Sequence, residues 1–149
     1  GFGLAMNSDI RIASDRAQFG PIFARWALAI EWGLSYILPR LIGTGKALEL
    51  AITGDLVDAR QAEQLGLVNR VVPHENLMEV TQELALRLAK GPSLSHQLIK
   101  KAIYAGLDSS FAAQLNCEAN ATALASQSED HAEAMKAFAE KREPVFKGR

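Results

Sequence analysis

The sequence predicts an α/β fold in which a mixed front half gives way to a helical back half. Two short extended segments, Asp9–Ser14 (DIRIAS) and Leu67–Val72 (LVNRVV), lie in the first half, one alternating and one β-branched. Helix starts and stops with tight glycine punctuation separate them. From residue 74 onward the periodicity is helical throughout. The 149 residues, 48% hydrophobic and 22% charged, suffice for one domain with a real core. The change of texture divides the chain into 1–73 and 74–149.

Gly1–Asn7 (GFGLAMN) reads as a glycine turn opening a short helix, a place where backbone N–H groups can face negative charge. A plain tight turn is the alternative. Asp9–Ser14 follows as a half-buried strand, and Ala17–Gly20 as a second short extended piece. Gly33–Ile42 reads as helical up to Gly43, with Pro39 expected near a helix start or a kink. Thr44 is expected to cap a helix through about Ile52, with Leu48 and Ile52 on one face and Gly54 as the stop. Asp58-x-x-Gln61 has the form of a capping box for a helix ending at Gly66. Leu67–Val72 is the strand that Pro73 terminates.

In the back half, Glu75–Lys90 places Leu77, Val80, Leu84 and Leu88 on one face, with acid first and base last, and stops at Gly91-Pro92. Leu94–Ala105 repeats the pattern with Leu98, Ile99, Ala102 and Ile103. Ser110–Ala125 is alanine-rich and carries Phe111, Leu115 and Ala119 at a spacing of four. Ser128, followed by Glu129 and Asp130, caps a last helix ending near Lys141-Arg142, and Pro144 keeps the tail extended. Small alanine faces on these helices suit close packing or subunit contacts.

Composition narrows the function. A formal net charge of −1 without a Lys/Arg block lacks the electrostatic footprint of a nucleic-acid or membrane-surface binder. No apolar run approaches a spanning helix. Cys117 is the single cysteine, which rules out an intrachain disulfide or a cysteine metal cluster and fits a reducing, cytoplasmic compartment. His74, His96 and His131 are scattered without a second ligand at metal spacing, so no metal site is expected. Ser35 and Ser95 have no nucleophile elbow around them. Glu129, Asp130, Glu133 and Glu140 form a negative helix face of the kind usually solvated.

The most unusual stretch is Phe19–Gly43, FGPIFARWALAIEWGLSYILPRLIG, 25 residues with Glu31 as the sole carboxylate. Ile30 and Trp32 flank that Glu, with Trp26 and Tyr36 close in sequence. Embedding a carboxyl in such surface disfavours its charged form and can make it a base. The plainer alternative is an apolar helix with one Glu turned to solvent. Near the C-terminus, Phe138, Lys141, Phe146 and Lys147 combine aromatic and cationic groups that can stack a base and pair with phosphate. A frayed amphipathic terminus is the alternative there.

DIRIAS, AQFG, the spacing from Gly20 to LPRLIG, KALELAITGDLVDARQAEQLGLVNRVVP and the closing AFAEKREPVFKGR together give a resemblance that covers the whole sequence. The chain resembles the enoyl-CoA hydratase/isomerase (crotonase) superfamily. The resemblance implies a crotonase (ClpP-like) β-β-α spiral, here its second half over 1–73, followed by C-terminal helices over 74–149 that serve oligomerisation and coenzyme A contact. It implies acyl-CoA thioesters as substrates, with coenzyme A part of the substrate and no cofactor or metal, and a homotrimer or hexamer. It also implies that the N-terminal half of the family lies outside this sequence, with the first backbone N–H of the oxyanion hole.

The second oxyanion N–H belongs to the glycine turn. If Gly1-Phe2-Gly3 is that turn, Phe2 supplies the donor; alignment without a gap from Asp9 puts the donor just ahead of Gly1. Family hydratases carry two Glu residues, whose places here hold Gly3 or Ala5, and Phe23. Isomerases of the superfamily place a single acid before the LPR helix, and IEWGLSYILPRLIG resembles that segment with Glu31 in the acid's place. By the same resemblance, Phe138 and Lys141 meet the adenine end of coenzyme A. The implied activity is enoyl-CoA isomerisation by Glu31. The alternatives are hydration or other crotonase chemistry using Glu31 with an acid from outside this sequence, and a non-catalytic acyl-CoA-binding or assembly fragment.

Overall fold

The computed structural model describes residues 1–149. They form two compact units, Gly1–Thr81 and Gln82–Arg149. The division falls eight residues beyond the change of texture at 73/74, inside a helix.

In the first unit, helix α1 (Phe2–Met6) follows Gly1 and leads to strand β1 (Ile12–Ser14) and strand β2 (Gln18–Phe19). A 3-10 turn over Ile22–Trp26, absent from the sequence expectation, precedes helix α2 (Leu34–Ile42) and helix α3 (Thr44–Thr53). Strand β3 (Val57–Asp58), helix α4 (Ala59–Leu65) and strand β4 (Arg70–Val72) complete the fold before a 3-10 turn at His74–Asn76. β1 pairs in parallel with β4, Ile12 opposite Arg70 and Ser14 opposite Val72. β2 pairs antiparallel with β3, Phe19 opposite Val57. The β1–β4 pair encloses the whole connection from β2 to α4, as a parallel pair must.

The Asp58 capping box is fully formed. Asp58 Oδ1 accepts from Gln61 N at 2.8 Å and Gln61 Oε1 accepts from Asp58 N at 3.1 Å, so two end donors of α4 are satisfied reciprocally. Thr44, by contrast, caps nothing. It is the first helical residue of α3, and the N-cap is Gly43. Gly43 has φ 77° and ψ 154°, a conformation open only to glycine, which lets α2 end and α3 begin with no residue between them. Its N–H donates to Pro39 O and its carbonyl accepts from Ala47 N, each at 3.0 Å. Pro39 stands inside α2. The carbonyl it orphans belongs to exposed Ser35, where water can serve.

The predicted strand Leu67–Val72 is shortened at its start. Leu67 N and Val68 N both donate back to Ala62 O, which closes α4 and buries Leu67 completely. The buried face of α3 is also not the expected one: Ala47 and Leu50 are buried, whereas Leu48 and Ile52 are exposed. Leu34 and Leu38 of α2 are fully buried against this face, Met6 of α1 and Val57 of β3. Ser14 Oγ lies 3.0 Å from His74 Nδ1, tying the end of β1 to the residue after Pro73.

Helix α5 (Leu77–Ala89) begins in the first unit and runs into the second, which also contains α6 (Ser93–Gly106), α7 (Phe111–Ala125) and α8 (Glu129–Glu140). Ser110 and Ser128 cap α7 and α8, accepting from Ala113 N and His131 N. α6 and α7 pack side by side. The Gln114 side-chain amide joins the pair, its Nε2 donating to Ala102 O at 2.9 Å. The face that α7 half-buries includes Gln114, Cys117, Ala121 and Ala125, while Phe111, Leu115 and Ala119 are exposed. The alanine-rich composition gives α7 no dominant apolar stripe, so spacing alone picked the wrong face.

The acidic face of α8 is likewise engaged and not simply solvated. Asp130 is buried, its carboxylate accepting from Lys147 N at 2.7 Å and Gly148 N at 2.9 Å, while its own N–H donates to Arg149 O. The extended tail is thus folded back onto the start of α8.

Candidate functional site

The first three residues, the Phe19-Gly20 pair and the residues after it converge on one pocket of about 460 Å³ in the first unit. Its lining includes Phe2, Gly3, Ala5, Phe19, Phe23 and Trp32. Phe2 and Gly3 are the first residues of α1, and the first intrahelical bond of that helix runs from Ala5 N to Gly1 O at 3.0 Å. The N–H groups of Phe2 and Gly3 therefore have no acceptor within α1. Aromatic and aliphatic side chains dominate the walls, with Gln18 the polar side chain among them.

The wall opposite Gly3 is Trp32. A Cβ added at Gly3 would lie 2.7 Å from both Cβ and Cγ of Trp32, closer than real carbon atoms come. Gly3 is buried and Trp32 fills the space in which any side chain at position 3 would begin.

Trp32 has φ 62° and Gly33 has φ 71°. With Leu34 N donating to Glu31 O at 3.1 Å, residues 31–34 form a tight turn of the I′ kind. Glycine or asparagine fits its first central position; a bulky aromatic there is strained, at a cost of about 1–3 kcal/mol. Asn7 holds the turn to α1: its Nδ2 donates to Gly3 O at 2.8 Å and to Trp32 O at 3.0 Å.

Glu31 opens this turn and is exposed. Of the two readings of Glu31, the one turned to solvent holds, in a turn and not in a helix, and apolar embedding is not found, because its neighbours turn outward too: Trp26, Leu28 and Trp32 are each more than half exposed. Phe23 is half-buried and Ala5 likewise, so the pocket gathers Phe2, Gly3, Ala5 and Phe23, with Glu31 one residue from its Trp32 wall.

Phe138 and Lys141 belong to the second unit, at the end of α8. Phe138 is exposed, and Lys141 is the C-cap in left-handed conformation, φ 54°. Next to them Arg142 grips Glu133 with two nitrogens, at 2.6 and 3.0 Å, and Glu140 with its Nε at 2.7 Å. The hydrogen bonds from Arg142, and then from Val145 N, hold the Glu133 carboxyl at about 2, far below the usual range. The Arg142 guanidinium is pushed up by the same two carboxylates. Further on, the Lys147 backbone N–H donates to the Asp130 carboxylate at 2.7 Å, while Phe146 is half-buried and Lys147 exposed.

Sequence reasoning missed Asn7 and the size of the Trp32 wall. The signal for the turn was the Trp-Gly pair directly before a helix; the bridge from Asn7 spans 25 residues and had none.

A short α/β core with a glycine-opened pocket, followed by a helical C-terminal unit, is a fold of the crotonase kind. The whole of residues 1–149 matches the enoyl-CoA hydratase/isomerase family, and the chain belongs to it. It is 36% identical over its full length to a 1,2-epoxyphenylacetyl-CoA isomerase of Escherichia coli, covering 57% of that protein. It is also 36% identical, over 98% of its residues, to a crotonyl-CoA hydratase of Syntrophomonas wolfei, covering 56% of it. The crystal structure of an enoyl-CoA hydratase from Bacillus anthracis superposes with a TM-score of 0.94 at 36% identity, over 98% of this chain and 57% of that one. The chain thus spans a little over half the length of the curated relatives it matches.

Proposed function

We propose that the protein carrying this chain is an enoyl-CoA isomerase that shifts a double bond by proton transfer. The observation that carries this reading is the pocket itself. Gly3, Ala5 and Phe23, the candidate places of the hydratase carboxylates, all line it and none can ionise, while Glu31 adjoins its Trp32 wall. Water addition needs a base for the water and an acid for the carbon, whereas isomerisation needs one group that takes and returns a proton.

Glu31 takes a proton from the carbon α to the thioester of a 3-enoyl-CoA. The electron pair moves into the thioester carbonyl, and the resulting oxyanion is met by the Phe2 N–H together with a second donor. Glu31 then returns the proton at the γ carbon, which gives the 2-enoyl-CoA. Preorganised N–H donors in an apolar pocket typically supply several kcal/mol of such a barrier, about 3 for one donor. No electron leaves the substrate, so the reaction is complete without a redox partner. Phe138 and Lys141 grip the nucleotide end of coenzyme A, and the exposed apolar side chains of α6 and α7, such as Ile99, Ile103 and Phe111, support assembly into trimers or hexamers.

The deciding assay follows a 3-enoyl-CoA and hydration of a 2-enoyl-CoA side by side in the full-length protein. Isomerisation in excess is expected. Hydration faster than isomerisation overturns the reading, and inactivity with both substrates favours an acyl-CoA-binding role.

A further inference from the structure

A bulky aromatic residue at a left-handed position persists only where its surroundings fix it. Trp32 meets that condition on two sides. Its side chain sits on Gly3, whose missing Cβ is what makes room for it, and its carbonyl is held by Asn7 Nδ2 at 3.0 Å. The same nitrogen donates to Gly3 O at 2.8 Å, so one exposed amide joins the pocket helix α1 to the turn that begins at Glu31. The turn has one backbone bond of its own, from Leu34 N to Glu31 O, and Gly33 accepts φ 71° without strain. The strained element is Trp32, and Asn7 is the polar group that restrains it.

We infer that Asn7 is a positioning residue: by bridging Gly3 O and Trp32 O it holds the strained Glu31–Leu34 turn against the pocket and so fixes where the Glu31 carboxylate stands. This rests on the reading of Glu31 as the proton-transfer group. An ordinary helix C-cap would need the bond to Gly3 O alone; the second bond, to a residue 25 positions away, is what couples the pocket to the turn.

The test uses Asn7→Ala in the full-length protein, alone and combined with Trp32→Asn. Asparagine before glycine favours the I′ turn on its own, so in that background the turn no longer depends on the bridge. Two quantities are read: hydrogen exchange at the Leu34 amide, which reports the turn whatever the chemistry, and steady-state isomerisation. With Asn7→Ala alone, Leu34 exchange should speed up by about tenfold, and kcat should fall about tenfold with KM within about twofold, as small misplacement of a catalytic group does. On the Trp32→Asn parent the same change should cost less than about threefold in kcat, because the two sites are coupled through one turn. Unchanged Leu34 exchange overturns the inference whether or not activity changes. Equal kcat losses in both backgrounds also overturn it, since they mark a merely structural cap. Glu31→Gln, assayed in parallel, separates the two readings: if it leaves isomerisation intact, the Glu31 assignment fails, and the bridge is then judged by Leu34 exchange alone.

Discussion

Gly3→Ala adds one carbon where the pocket wall has no room for it. The new Cβ would lie 2.7 Å from Trp32 Cβ and Cγ, so α1 and the turn must separate by about 1 Å to reach ordinary carbon contact. Trp32 cannot easily rotate away, because the clash involves its Cβ and its carbonyl is held by Asn7. Overpacking of this kind costs about 1–3 kcal/mol, partly offset by up to about 1 kcal/mol from the better helix propensity of alanine within α1. The net expectation is a loss of about 1–2 kcal/mol in urea unfolding of the full-length protein. Trp32→Gly removes the opposing Cβ and relieves the left-handed strain, so Gly3→Ala in that background should be neutral or stabilising. The double-mutant cycle should therefore give a coupling energy of at least about 1 kcal/mol. Additive effects, or a Gly3→Ala protein as stable as wild type, would refute the packing argument and with it the claim that Trp32 excludes any side chain from position 3.

Glu31→Gln keeps size and removes the base; 3-enoyl-CoA isomerisation should fall by at least about a hundredfold with binding retained, as measured by single-turnover kinetics. Lys141 is in left-handed conformation, so Lys141→Gly removes the cation without backbone strain; coenzyme A thioester affinity should drop by about 1 kcal/mol or more in calorimetry, with turnover at saturation little changed. Unaltered affinity would return Lys141 to the role of helix cap. For the Glu133–Arg142 pair the folded carboxyl is depressed from 4.5 to about 2, so its stabilisation is fully present above pH 4.5 and is lost as pH falls toward 2. Acid titration followed by exchange at the Val145 amide should show tail release in that window, and Glu133→Gln should remove the pH dependence.

The sequence by itself determined the elements whose signals are local. The Asp58–Gln61 capping box, the glycine stops at Gly54 and Gly66, and the Ser128 cap of α8 each rest on residues within a few positions of one another, and each formed as expected. The order of motifs likewise marked the family. Local signals misled where two readings share one pattern: Thr44 is a good cap, but Gly43 took the position because its φ and ψ let two helices abut. Leu48 and Ile52 have helical spacing, as do Ala47 and Leu50, and only packing against α2 chose between them. Tertiary structure alone decided the site's geometry. The burial of Gly3 under Trp32 and the bridge from Asn7 join segments far apart in the chain, and the outward turn of Trp26, Leu28 and Trp32 chose between the two readings open for Glu31, embedded or turned to solvent, in favour of the second. Hydrophobicity states what a side chain gains by being covered; whether anything covers it depends on where the rest of the chain has already packed.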